Sequence, residues 1–167
     1  VRAYSTCLRG QLSSNVRHHM PLIAVLAAGP KEYKGSGVNH EGENFAGTLC
    51  VQQLLGGMGV LLHYEAKVGD HEVVHQECTL LAEDMNGNPT LWPLMSELPG
   101  VLPHFAIAQS QSECRFASGD RNDKSIFREE ITISLGADGS VTYAHAWGLP
   151  GGEFEDRSSC RLWPSDA

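Results

Sequence analysis

The sequence predicts an all-β protein, folded as a closed antiparallel up-and-down β-barrel of about ten strands with a short N-terminal helix. From residue 45 onward, apolar and polar residues alternate with a period of two, which is typical of half-buried strands. Turn dipeptides separate these runs, and helical periodicity is nearly absent. A barrel is expected because long antiparallel strands joined by short turns leave exposed edges unless they close.

The predicted helix covers Pro21–Ala28, an apolar segment that precedes the strands. The longest apolar run of the chain, Leu22–Ala28, is far shorter than the roughly 20 residues that span a bilayer. We therefore expect this helix to plug one end of the barrel, and we expect no membrane-spanning helix.

Turn dipeptides divide the strands that follow. Gly69-Asp70, Asn86-Gly87, Gly119-Asp120 and Asp138-Gly139 favour the positive φ values of tight hairpins. Leu98–Pro103 contains two prolines, which cannot donate to a sheet, so this segment is predicted to be a loop or lid. The strand runs are Val60–Val68, Glu72–Glu83, Thr90–Met95, Phe105–Ser118, Ser125–Leu135, Val141–Trp147 and Arg157–Leu162.

Charge and cysteine content limit the partners and the compartment. The chain has 20 acidic and 12 basic residues, a formal charge of −8 that disfavours nucleic acid and anionic membranes. Its five cysteines are widely spaced and include no C-x-x-C pair, so neither a disulfide framework nor a zinc knuckle is indicated. Reduced cysteines predict a cytoplasmic protein.

The N-terminal segment is expected to lie outside the barrel. Residues 1–20 contain no acidic residue, and we interpret them as an arm or, if Met20 is the initiator, as upstream read-through. Residues 21–167 are predicted to form a single β-barrel domain.

Alternation sorts each strand into two rows, and the informative row mixes polar with aromatic side chains. If these mixed rows line the barrel, the interior is too polar for a dry core and suits a small-molecule cavity. Two alternatives remain open, in which these rows face solvent or form a buried ion network around Arg128. The predicted lumen-facing residues are His63, Glu65, His75, Glu77, Arg128, Glu130, Tyr143, His145 and Trp147.

Two H-x-E pairs, His63/Glu65 and His75/Glu77, each place both side chains on one face of a strand. Together with His145 they are chemically able to hold a divalent metal. The chain lacks the H-x-H pattern of a cupin site, so we predict no metal. No catalytic residue is assigned, although His75 and Glu77 are candidates for an acid and base pair.

The predicted function is binding of a small, partly apolar molecule that carries a polar or anionic group. Arg128 is expected to supply the charged anchor, while His75, Tyr143 and His145 supply hydrogen bonds. Trp92 and Trp147 are expected to make the apolar contacts. The predicted partner is therefore a small lipophilic or aromatic molecule, and the sequence leaves a homodimer open.

Three motifs resemble the nitrobindin-like β-barrel family over about residues 21–162. Gly29–Gly37 is similar to the family's G-x-W-x-G-x-G start, with Tyr33 in place of tryptophan. Val74–Glu77, followed by Asn86-Gly87, resembles its M-H-x-E strand and hairpin. Val141–Tyr143, followed by Trp147, resembles its late L-x-Y strand.

This resemblance implies a ten-stranded calycin-type barrel, related to lipocalins and fatty-acid-binding proteins, whose haem-binding members act on nitric oxide and peroxynitrite. It implies that His75 lies in a distal pocket and that Tyr143 and Trp147 line the cavity. The family's iron-ligating histidine has no counterpart in residues 148–162, where Arg157 stands roughly in its place.

Other haem ligands and other chemistry remain alternatives. His145, His75 or Cys160 is able to ligate iron in another geometry. The alternatives to a binding protein are therefore a haem protein of the nitrobindin type and a small-molecule isomerase or hydrolase that uses His75 and Glu77. A third alternative is a structural or partner-binding barrel with a filled core.

Overall fold

The computed structural model describes residues 21–69 and 72–165, which form a helix and a closed barrel of ten antiparallel strands. Each strand pairs with the next one along the chain, and the last pairs with the first, as the sequence predicts. The predicted arm over residues 1–20 lies outside the described residues. The elements are α1 Pro21–Ala28, β1 Glu32–Asn39, β2 Asn44–Leu54, β3 Gly59–Val68, β4 Glu72–Glu83, β5 Pro89–Met95, β6 His104–Gln109, β7 Glu113–Ser118, β8 Arg128–Leu135, β9 Val141–Gly148 and β10 Glu155–Pro164.

Two differences separate the predicted runs from the observed strands. The first predicted run begins at Val60, so it omits β1 and β2. The run Phe105–Ser118 contains two strands, β6 and β7, rather than one. The turn between them is built by Ser110, whose hydroxyl accepts from the amides of Ser112 and Glu113. A serine turn of this kind contains no glycine or proline, so the sequence carries little sign of it.

The helix α1 closes one end of the barrel, as predicted. Leu22, Ile23 and Leu26 are buried in the main core cluster, and the helix packs against β2 and β3. Within the described part of the chain, no helix has the length and apolar character needed to cross a membrane.

Glycines in β1 make room for the side chains that fill the barrel. A Cβ atom on Gly37 would lie 2.3 Å from the ring of Phe45, and one on Gly35 would lie 1.9 Å from the carbonyl oxygen of Arg161. Both glycines lie in the same inward row of β1 as the buried Tyr33, so the G-x-G pattern marks positions where neighbouring strands approach closely.

The inward row of β3 is apolar, which corrects one prediction. Leu62, Tyr64 and Ala66 are buried in the core, whereas His63 is exposed and Glu65 lies on the same outer face. The prediction that His63 and Glu65 face the lumen is wrong, because most of a barrel interior is filled by apolar side chains.

The inward row of β8 contains Glu129, Ile131 and Ile133, so this prediction also needs correction. Arg128 and Glu130 occupy the opposite row, on the outside of the barrel. Both are nevertheless buried, because loops cover this outer face. Because both faces of β8 are buried, its two rows do not differ in exposure, and the alternation of residue types does not show which row faces the lumen.

Replacing Leu26 with alanine tests the packing of α1. The Leu26 side chain is 1% exposed, so Leu26→Ala should lower the free energy of unfolding by about 2–4 kcal/mol. Val25→Ala is the matched control, since Val25 is 47% exposed and its loss should change stability by less than about 0.5 kcal/mol. Urea unfolding of both variants measures this, and equal losses would contradict the assigned packing.

Candidate functional site

A cavity of about 370 Å³ lies at the end of the barrel opposite α1. It is formed where β3, β5 and β9 end and where β4, β8 and β10 begin. Its apolar wall includes Phe45, Val74, Met95, Leu98, Phe127 and Trp147, and its polar groups include His75, Glu97, Glu129, His145 and Arg157.

A buried carboxylate lies beneath this cavity. The Glu77 side chain on β4 is 1% exposed, and its Oε1 atom accepts a hydrogen bond of 2.6 Å from the hydroxyl of Tyr143 on β9. The hydroxyl of Thr79 donates to the same oxygen. Since β4 and β9 are not neighbours in the barrel, the bond to Tyr143 crosses the lumen.

Two histidines face the other oxygen of Glu77. Its Oε2 atom lies 3.5 Å from Nε2 of His75 and 3.6 Å from Nε2 of His145. All three atoms are buried, and none of them has a hydrogen-bond partner among the described residues. We name His75, Glu77 and His145 the lumen triad.

The outer ring nitrogens of these histidines are held by further carboxylates. His75 Nδ1 donates to Glu97 at 2.9 Å, and His145 Nδ1 lies 3.3 Å from Glu129. The second oxygen of Glu129 accepts from His104 Nε2 at 3.2 Å, and His104 Nδ1 donates to a backbone carbonyl at 2.7 Å. A continuous polar network therefore runs from the lumen triad to the barrel wall.

The buried carboxylates of the network are stabilised in their ionised form. Burial raises the pKa of Glu129, but hydrogen bonds from His104 and His145 outweigh it and lower the pKa to about 2. Burial also raises the pKa of Glu77, and its histidine and hydroxyl neighbours bring that pKa below its ordinary value. Burial lowers the pKa of His75, but the carboxylates of Glu77 and Glu97 reverse this and raise it.

The structure brings together five of the predicted site residues. His75, His145 and Trp147 line the cavity, and Glu77 and Tyr143 lie directly beneath it. All five belong to the inward rows of β4 and β9, for which the sequence assigned the correct face.

The other five predicted residues lie away from the cavity. Trp92 sits on the outer row of β5, whose inward residues Leu91 and Met95 belong to the core. The remaining four, on the outer rows of β3 and β8, are His63, Glu65, Arg128 and Glu130.

Sequence reasoning missed several polar and aromatic residues of the site, including Phe45, Phe127 and Arg157 in the cavity wall. Glu129 and Tyr64 were assigned to the outer rows of their strands, and Tyr64 in fact stacks on Tyr143 with ring centroids 5.0 Å apart. Glu97 and His104 flank the loop between β5 and β6, and no local pattern connects them to β4 or β8. For Tyr64 and Glu129, the only sequence signal was the choice of which alternating row of β3 and of β8 faces the lumen. For Glu97 and His104 there was none.

Arg128 joins two loops rather than facing the cavity. Its guanidinium donates to the carbonyls of Leu149 and Gly152 at 2.7 Å each, and to those of Ile126 and Arg121 at 3.3 Å. The N–H groups of Arg128 are therefore bonded to backbone carbonyls and are not free to bind a ligand, so Arg128 is poorly suited to the predicted role of ligand anchor.

Arg157 is the arginine that lines the cavity. Its guanidinium carbon lies 4.1 Å from the centroid of the Trp147 ring, and its Nε donates to the Trp147 carbonyl at 3.3 Å. This contact holds a positive charge at the cavity wall.

The residues present do not fit haem bound in the manner of the nitrobindin-like family. Arg157, which stands near the position of the missing iron ligand, is stacked on Trp147. His75 and His145 direct Nε2 at Glu77 rather than into the cavity. The buried Cys160 packs beside Gly47, away from the cavity lining.

Comparison with solved structures shows the fold. The crystal structure of Rv2717c from M. tuberculosis superposes with a TM-score of 0.65 at 12% sequence identity, covering 87% of this chain and 98% of that chain. No model of a protein family matches the sequence, and comparison with curated proteins finds no match. The two chains therefore share a fold, which in this chain is the closed barrel of ten strands.

Substitution of Arg128 tests its loop-joining role. Arg128→Ala should lower the free energy of unfolding by roughly 3 kcal/mol, because four carbonyls lose a charged donor in a buried site. Arg161→Ala is the control, since its pair with Asp138 is exposed and worth less than about 1 kcal/mol. Urea unfolding compares the two, and similar small losses would contradict the role given to Arg128.

The lowered pKa of Glu129 predicts a dependence of stability on pH. The folded pKa of about 2 lies below the ordinary 4.5, so ionised Glu129 stabilises the fold above pH 4.5 and loses this effect as the pH falls towards 2. Glu129→Gln should therefore cost on the order of 3 kcal/mol at pH 7 and progressively less at acid pH. Glu155→Gln, at an exposed position, is the control, and urea unfolding between pH 7 and 3 makes the measurement. A cost that does not change with pH would contradict the prediction.

Proposed function

We propose that this protein binds a small, partly apolar molecule that carries a polar or anionic group, in the cavity at the open end of its barrel. The observation that carries the proposal is a cavity of about 370 Å³ with mainly apolar walls and polar groups at its base and rim. Small-molecule sites commonly have this size and composition.

The walls of the cavity suit an apolar or aromatic body. Phe45, Phe127 and Trp147 present aromatic rings to it, and Met95 and Leu98 add flexible apolar surface. The core beneath is filled, with Leu62, Ile133 and similar side chains buried below the level of the lumen triad. The ligand is therefore expected to occupy the upper part of the barrel only.

The charged anchor in this proposal is Arg157. Arg157 is in β10, next to Ser158, and Ser158 pairs with Asn39 of β1. Both of these polar residues line the same cavity. A carboxylate, sulfonate or similar group would meet this cation and two neutral polar side chains there, and would compete with the Glu155 carboxylate, which lies 3.0 Å from Nη1 of Arg157. The Glu97 and Glu129 carboxylates lie elsewhere in the wall and are held by histidines.

A cytoplasmic location is part of the proposal. Its support is the cysteine content, since the four cysteines of the described chain, Cys50, Cys78, Cys114 and Cys160, are not bonded to one another.

Binding of anilinonaphthalene sulfonate, an aromatic anion whose fluorescence rises in apolar surroundings, tests the site. Arg157→Ala should weaken binding about tenfold or more, because a charge-assisted contact is lost. Ala66→Leu should weaken it as well, because Ala66 lines the cavity and a larger side chain reduces its volume. Arg161→Ala, on the outer surface, should bind like the wild type.

Near-ultraviolet circular dichroism is needed alongside, since partly unfolded proteins also bind this dye. Native mass spectrometry of the freshly purified protein completes the test by weighing any molecule retained from the cell. Dye binding that is equal in all variants, together with a native mass equal to that of the bare chain, would contradict the proposal. A Soret absorption band would instead favour haem.

A further inference from the structure

The lumen triad presents three ligand atoms to one buried point. Nε2 of His75, Oε2 of Glu77 and Nε2 of His145 all lie within 4.8 Å of one another. Each atom is buried, and each is without a hydrogen-bond partner among the described residues. Buried polar atoms are nearly always satisfied, so three such atoms facing each other require an explanation.

The hydrogen bonds on the far side of each ring show which nitrogen carries a proton. Glu97 and Glu129 are carboxylates that accept, so Nδ1 of His75 and of His145 donates to them. In a neutral imidazole this leaves Nε2 with its lone pair. The two lone pairs then point at a carboxylate oxygen, and such an arrangement is repulsive unless a proton or a metal cation lies between them.

The spacing of the triad suits a metal ion better than hydrogen bonds. The separations of 3.5 and 3.6 Å from Glu77 to the two histidines exceed the usual length of an N–H···O bond. A tetrahedral metal with ligand bonds of about 2.0–2.1 Å holds its ligand atoms roughly 3.3 Å apart. The two distances from Glu77 are therefore within a few tenths of an ångström of those in such a site, and all three ligand atoms lie within 4.8 Å of one another.

The residues around the triad fix the orientation of each ligand. Tyr143 and Thr79 both donate to Oε1 of Glu77, which leaves Oε2 alone to face the histidines. Metal-bound histidines commonly donate their other ring nitrogen to a carboxylate, as His75 does to Glu97 and His145 to Glu129. The structure thus supplies both the ligand atoms and the groups that hold them in place.

We propose that His75, Glu77 and His145 bind one divalent first-row transition metal ion, such as Zn²⁺ or Fe²⁺. Two imidazoles and one carboxylate are a ligand set that these ions accept, and three protein ligands leave at least one coordination position for another molecule. This reverses the prediction from sequence, which noted that the H-x-E pairs and His145 are able to hold a metal but predicted none because the cupin pattern is absent. The proposal goes beyond ligand binding and holds whether or not the cavity takes up an organic molecule.

A second group of metal-binding side chains lies on the outer surface and must be distinguished. His63 Nε2 is 3.4 Å from Cys78 Sγ, and Cys50 is paired with His63 across β2 and β3. A metal bound by these outer residues would have thiolate ligands, whereas the lumen triad has only nitrogen and oxygen donors.

Titration of chelator-treated protein with Co²⁺ tests the proposal, since Co²⁺ reports its ligands by visible absorption. The wild type should bind one Co²⁺ per chain with nitrogen and oxygen ligand bands and without the intense near-ultraviolet bands of thiolate ligation. Zn²⁺ should displace it, and native mass spectrometry should show one zinc per chain.

Three variants locate the ion. Glu77→Gln and His145→Ala each remove a ligand and should weaken Co²⁺ binding more than about 100-fold, whereas Glu97→Gln removes only the carboxylate that holds His75 and should weaken it roughly 10-fold. His63→Ala is the matched control and should bind like the wild type, since His63 lies on the outer face.

Circular dichroism of each metal-free variant checks that the barrel is folded. Glu77→Gln keeps the shape of the side chain and an acceptor for Tyr143, so we expect this variant to fold. It therefore still tests the site if His145→Ala does not fold. Absence of stoichiometric binding in the wild type would overturn the proposal. Binding that survives Glu77→Gln but is lost in His63→Ala would overturn it too, because the ion would then lie on the outer surface.

Discussion

The carboxylate of Glu77, buried between opposite walls of the barrel, is the constraint on which the rest of the site depends. A buried carboxylate is costly unless it is hydrogen-bonded or paired, so its neighbours must be polar and closely placed. Tyr143 satisfies one oxygen from across the lumen, and His75 and His145 face the other. These contacts tie β4 to β9, two strands that share no backbone hydrogen bonds.

The position of this cluster divides the barrel into two parts. On the α1 side, apolar side chains such as Leu26, Leu62 and Ile133 fill the interior. On the other side, the polar groups prevent apolar packing, and the space above them remains as a cavity lined by Trp147 and Phe127. This polar layer thus separates the apolar core from the cavity, and its histidines and carboxylates form the polar base of the cavity.

The sequence predicted the fold and about half of the site, for identifiable reasons. The inward rows of β4 and β9 were predictable because His75 and His145 share a period-two row with the apolar Leu81 and Val141, respectively. Arg128 was misplaced because loops bury the outer row of β8, so alternation there gives no contrast. The pairing of Glu77 with Tyr143, 66 positions apart, depends on the register around the whole barrel, which no local pattern contains.

The most direct test of this account is a crystal structure of the freshly purified protein at a resolution that resolves bound molecules. The account predicts electron density for a small molecule in the cavity above His75 and His145, in contact with Trp147 and close to Arg157. A cavity filled by the protein's own side chains, or one containing only ordered water in protein taken directly from the cell, would contradict it.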